Sequence, residues 1–267
     1  MKLDYLLHRE TTRVNDGKIA YVDHNKNADK TILALHGLGT NADTWSRQLD
    51  VLASAGYRVI APDLRGFGLS TSHDKISFDL MISDIISLMN HLDIKLFDIM
   101  GLSMGGAITQ LIALQYPERV NRIILVSTFS KFDTASSLYF PARLLLVKYL
   151  SMNAIAWGLS HYIFPTAKEL EYRKLLRSHI LKVKKDAYIQ AIHEVQNFDV
   201  SEKLKNLSAP TLIVSGSKDR TVSLKTQTIL AELIPAARHI ILNGGHAPNV
   251  SIANEFNPEM IAFLAEG

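Results

Sequence analysis

The chain has 267 residues, 47% hydrophobic and 21% charged, with a net charge of +3. That size and apolar content fit one large domain, or a domain with an insertion, built on a sizeable core. So weak and dispersed a positive charge argues against a nucleic-acid partner, and no apolar run reaches the roughly 20 residues of a membrane span. Cysteine is absent, which excludes disulfides, thiolate metal sites and a cysteine nucleophile. The opening MKLDYLLHRETT carries Asp4 and has no long apolar stretch. It does not read as a signal peptide, and a cytoplasmic protein is expected.

The first half alternates between two periodicities. KIAYVDH (18–24) follows the turn signal Asp16-Gly17 and pairs with HRETTRV as a hairpin. TILALH (31–36) and YRVIAPD (57–63) read as buried strands, with a helix between them over 44–55. FDLMISDIISLMNHL (78–92) is an amphipathic helix, KLFDIMG (95–101) a strand, 104–116 a helix and VNRIILVST (120–128) a strand. From 129 to 207 strand-like runs disappear. PARLLLVKYLSMNAIAWGLSHYIF and AKELEYRKLLRSHILKVKKDAYIQAIHEV read as helices there. APTLIVSGSKD (209–219) then restores a strand, followed by a helix at 222–234, the strand RHIILNG (238–244) and a helix over 254–265. Apolar strands alternating with helices predict a mostly parallel sheet covered on both faces. The expected division is a core of 1–128 and 208–267 interrupted by a helical segment, 129–207.

Gly101-Leu102-Ser103-Met104-Gly105 lies between a predicted strand and a predicted helix. A serine in such a turn is held out at the sheet edge, at a helix N-terminus whose N–H groups favour negative charge. A serine hydroxyl needs a base to take its proton and a carboxylate to orient that base. His246 in NGGHAPN and Asp219 in VSGSKDRTV follow the last two strands. A parallel sheet presents its sites at this carboxyl edge, and the chain order is Ser, Asp, His. The N–H groups of Leu38, in LHGLGTNADTW, and of Met104 are the candidates for stabilising a developing oxyanion. His36 and Gly37 are read as shaping that loop.

With these residues in place the sequence resembles the α/β-hydrolase superfamily. The matches are His36-Gly37, DLRGFGLS (63–70), GLSMGG (101–106), SGSKD (215–219) and GGH (244–246), spread over the chain outside 129–207. The resemblance implies an α/β-hydrolase fold in which 129–207 is a helical cap over a Ser103–His246–Asp219 triad. It gives Asp63, Arg65, Gly66 and Gly68 a structural turn near the site. A serine at 103 is unlike the aspartate-nucleophile branches. HGLGTNADTW and GLSMGG look most like the esterase, enol-lactonase and C–C hydrolase branches, and Leu102 and GLGTN depart from the C–C hydrolase pattern.

The expected activity is cleavage of a carboxylic ester of a small, largely apolar substrate through an acyl-enzyme. The alternatives are a 3-oxoadipate enol-lactonase-like or meta-cleavage-product C–C hydrolase activity. Cofactor-free haloperoxidase or perhydrolase, acyltransferase and a non-catalytic ligand receptor are minor ones. No metal or organic cofactor is implied. The expected partner is a small ester or lactone, and the chain is expected to be a monomer or homodimer. Leu102, Tyr139, Leu145, Trp157 and Phe164 are the candidate pocket residues. Arg143, Arg173 and Arg177 and the lysines 182, 184 and 185 are mostly helix surface, and an inward arginine would suit a carboxylate-bearing substrate.

Overall fold

The computed structural model describes residues 7–71, 75–132, 139–235 and 237–266, without the side chains of 139–142. Eight strands form one sheet: β1 (Glu10–Val14), β2 (Gly17–His24), β3 (Lys30–Leu35), β4 (Tyr57–Pro62), β5 (Phe97–Leu102), β6 (Val120–Val126), β7 (Thr211–Gly216) and β8 (Arg238–Leu242). Their spatial order is β1-β2-β4-β3-β5-β6-β7-β8. The β1–β2 hairpin and the β2–β4 pair are antiparallel, and every later pair is parallel. The hairpin turns on Asn15 and Asp16, with Asn15 at φ 46°.

Central strands are buried on both faces, which is why β5 and β7 are apolar nearly throughout and buried at every position. Successive strand side chains point to opposite faces. Thus Ile99 joins the layer of α2 (Phe78–His91) and α3 (Met104–Gln115). Met100 joins the layer of α1 (Leu49–Ser54) and the C-terminal α10 (Ala253–Ala265). Edge strand β8 is half-exposed.

Between β6 and β7 the chain forms α4 (Tyr139–Tyr149), α5 (Met152–Ile163), α6 (Leu170–Ile180) and α7 (Lys185–Asn197). The two ends of this segment meet: Lys131 bridges to Asp199, and the Val200 N–H donates to Ser130 O at 3.1 Å. Each of the two long helical runs in the sequence is broken in two. The first breaks at Ser151, whose hydroxyl accepts the Ala154 N–H at 3.3 Å and so caps α5. The second breaks between Ile180 and Lys185, where Lys185 Nζ turns back to cap the Lys148 and Leu150 carbonyls. The helix expected over 44–55 is shorter. Asn41 caps a 3₁₀ turn at Ala42–Trp45, and α1 starts only at Leu49. After β7 come α8 (Leu224–Leu233) and the one-turn α9 (Pro248–Ser251).

Candidate active site

Strand β5 delivers Ser103 to the carboxyl edge of the sheet. Its backbone sits at φ 54°, ψ −114°, a conformation that costs an L-residue about 1–3 kcal/mol. The surroundings hold it there. The Ser103 N–H donates to Val126 O at 2.9 Å, and Thr128 Oγ1 donates to Ser103 O at 2.8 Å. The turn has no room for side chains on either flank. A Cβ at Gly101 would stand 2.3 Å from Gly105 O, and one at Gly105 would stand 2.2 Å from Leu35 O.

Asp219 lies in the turn after β7, its side chain fully buried. Oδ1 accepts the N–H groups of Thr221 and Val222 at 2.7 and 3.0 Å. Oδ2 meets His246 Nδ1 at 2.8 Å and Gln227 Nε2 at 3.3 Å. With Asp219 Oδ2 as the acceptor, Nδ1 is the donor nitrogen of His246 and Nε2 is left as the ring's acceptor. Ser103 and His246 line one cavity, of about 80 Å³, together with Leu38 and Met104. The turn after β3 fixes Leu38. Gly39 takes φ 79° there, and Thr40 donates to Gly37 O from both its N–H (3.2 Å) and its hydroxyl (2.8 Å). Among the described residues neither the Leu38 nor the Met104 N–H meets a protein acceptor.

His36 is buried and its imidazole bridges two backbones. Nε2 accepts the Leu64 N–H at 2.9 Å, so Nδ1 carries the proton, 2.8 Å from Gly37 O. Burial pushes its pKa down to about 4, which keeps it neutral. Asp63 accepts the N–H groups of Ala42 and Leu69 at 2.9 and 2.8 Å, and Arg65 chelates Asp84. These are the structural roles expected of the 63–70 segment. Two buried amides and the half-buried Asn257 tie this side to the segment after His246. Gln48 Nε2 donates to Asn249 O (2.9 Å) and Asn257 Oδ1 (2.8 Å), Asn249 Nδ2 to Thr44 O (3.1 Å), and Asn257 Nδ2 to Arg47 O (3.0 Å).

Of the expected pocket residues, Leu102 and Phe164 line the cavity. Leu145 and Trp157 do not. They are 59% and 56% exposed: α4 buries Val147 and leaves Leu145 out, and α5 turns Ile155, Ala156 and Leu159 inward and Trp157 out, onto His161 at 4.4 Å. The Tyr139 side chain lies outside the described residues. Arg143 also lines the cavity, its guanidinium donating to Tyr188 Oη at 2.5 Å. Arg173 and Arg177 turn away, to Phe164 O and Asn153 Oδ1. The residue missed is His179, buried and facing the cavity from α6. Its Nε2 is 3.4 Å from Asp43 Oδ2, an ion-pair distance without hydrogen-bond geometry. Burial works against the Asp43 charge, but His179 and Arg9 outweigh it and hold the carboxyl below its ordinary range. No sequence signal marks this contact, which spans two segments far apart in the chain. No helix among the described residues is long and apolar enough to cross a membrane.

This arrangement has the parts for acyl transfer: a strained serine, an imidazole oriented by a buried carboxylate, and two N–H groups at one apolar cavity. Known proteins agree at the level of fold. A candidate carbamate hydrolase, RutD, of Rhizobium rhizogenes (strain K84) is 29% identical over 243 residues, 88% of this chain and 92% of that protein. The 3-oxoadipate enol-lactonase 2 of Acinetobacter baylyi is 27% identical over 263 residues, 96% of either chain. The solved enol-lactonase from Burkholderia xenovorans LB400 superposes with a TM-score of 0.90 at 23% identity, covering 96% of this chain and 100% of that one. Residues 30–251 match the family model of the α/β hydrolase fold, and with the strand order already described, the chain belongs to that family.

Proposed function

We propose that the protein is a serine hydrolase acting on a carboxylic ester. Ser103 Oγ attacks the carbonyl carbon as His246 Nε2 takes its proton. The Leu38 and Met104 N–H groups stabilise the oxyanion, and Asp219 stabilises the imidazolium. His246 then returns the proton to the departing alkoxide, which leaves as the alcohol. Water, deprotonated by the same imidazole, cleaves the acyl-enzyme. Residues 129–207 act as the cap that selects the substrate. The observation that carries this reading is the 2.8 Å Asp219–His246 contact at the same cavity as the strained Ser103. The names of the relatives, a candidate carbamate hydrolase and an enol-lactonase, support attack on an acyl carbon.

The test is turnover of p-nitrophenyl butyrate. Ser103→Ala should lower kcat by about 10⁴-fold or more with unchanged circular dichroism, and kcat within tenfold of wild type would overturn the reading. A lactone is the second substrate class, favoured by the A. baylyi enzyme matching both chains over 96% of their length. There the alcohol stays tethered to the acyl group, and the same variant tested on δ-valerolactone checks it.

A further inference from the structure

A second cavity adjoins the first. Helices α4 and α5 leave between them a groove of about 240 Å³, against about 80 Å³ at Ser103. Leu146, Val147 and Leu150 line it from α4, and Ala154, Gly158 and Tyr162 from α5. Arg143 and Leu159 line both cavities, so these two side chains form the wall between the two spaces. Leu146 and Leu150 are 56% and 41% exposed in spite of facing the groove. An apolar group laid there would withdraw that surface from water, at about 25 cal/mol per Å².

Gly158 is the telling residue. It lies inside α5, where glycine costs about 0.5–1 kcal/mol relative to alanine. Gly101 and Gly105 are required by close backbone approaches, but a Cβ at Gly158 would meet nothing within 4 Å. Its φ is not in the left-handed region either. Neither a turn nor packing accounts for this glycine. Gly158 is exposed at the rim of the groove, and its missing side chain leaves the groove's mouth open.

We infer that the α4–α5 groove holds the unbranched alkyl tail of the acyl group whose carbonyl sits at Ser103. The substrate class is then an ester of a medium-chain aliphatic acid. This rests on the serine hydrolase reading, and the occupant follows from the shared wall: a tail too large for the Ser103 cavity has the groove as its next apolar space.

Gly158→Leu fills the groove and replaces a poor helix former with a good one, so the fold is retained. Wild type should gain kcat/KM from p-nitrophenyl acetate to octanoate through a falling KM. Gly158→Leu should reduce that gain at least about tenfold, a fraction of what six methylenes contribute at about 0.8 kcal/mol each, and leave acetate turnover unchanged. An unchanged octanoate-to-acetate ratio overturns the inference, as does an equal loss for both esters. So does a change in oligomeric state with an unchanged ratio, which would make the groove a contact between copies. A second measurement needs no turnover: calorimetric binding of 2-decanone, a ketone that cannot be hydrolysed. Tight binding by wild type and weakened binding by Gly158→Leu support the groove even if no ester is cleaved, and equal binding overturns it. Failure of the hydrolase reading shows separately, as ester turnover that Ser103→Ala does not abolish.

Discussion

Gly105 and Gly158 divide the molecule in two. At Gly105, where α3 leaves the sheet, an added methyl would stand 2.2 Å from Leu35 O and 2.7 Å from His36 O. At Gly158, in α5, it would stand in open space. Exposure divides the same way. Of twelve large hydrophobic residues exposed among those described, eight lie between Leu145 and Leu181. The sheet and its flanking helices pack backbone against backbone around Ser103. The helices between β6 and β7 keep unfilled apolar space. On the proposed reading, chemistry and choice of substrate are therefore under different packing constraints.

Substitutions can break that comparison. The largest expected effect is that of Gly105→Ala, whose Cβ collides with two backbone carbonyls that cannot move without parting β3 from β5. It should cost more than about 4 kcal/mol in urea unfolding, or prevent folding. A loss under about 1 kcal/mol would show that the corner yields. Next comes acid. His36 titrates near 4 in the folded chain against 6.5 for the free side chain. The unfolded chain therefore binds the extra proton first. Stability from this group is complete above about pH 6.5 and is lost as pH falls toward 4, by up to about 3 kcal/mol. His36→Gln keeps a donor and an acceptor without titrating and should flatten that slope, and an unchanged slope would assign the acid sensitivity elsewhere. The smallest effect has the opposite sign. Gly158→Ala should raise stability by about 0.5–1 kcal/mol, and a loss would mean that the groove is tighter than its geometry.

The same division explains what could be read from the sequence. Ser103, Asp219 and His246 each follow an apolar strand directly, so a local pattern places all three at one edge. Strand periodicity also separates the two core layers at Ile99 and Met100. The α4–α5 run carries apolar residues all round, and that pattern does not say which face turns inward. Hence Trp157 and Leu145 read as pocket residues and are exposed, while Leu159 faces the cavity. Ser151 is a cap only because the chain bends there, and an apolar run on both sides hides the bend. His179 faces the cavity and meets Asp43, a partner set by the packing of α6 on the core and by no spacing along the chain.

The amide clasp has a consequence in time. Gln48 and Asn257 are joined across 209 positions, and Asn249 reaches back 205 to Thr44. Contacts that distant close late, because the chain entropy of a long loop is lost before the contact returns anything. A chain emerging from the ribosome can finish the β5 corner and strain Ser103 long before His246 has been made. Under the proposed mechanism the serine stays an ordinary alcohol through that interval, until the His246 loop is in place.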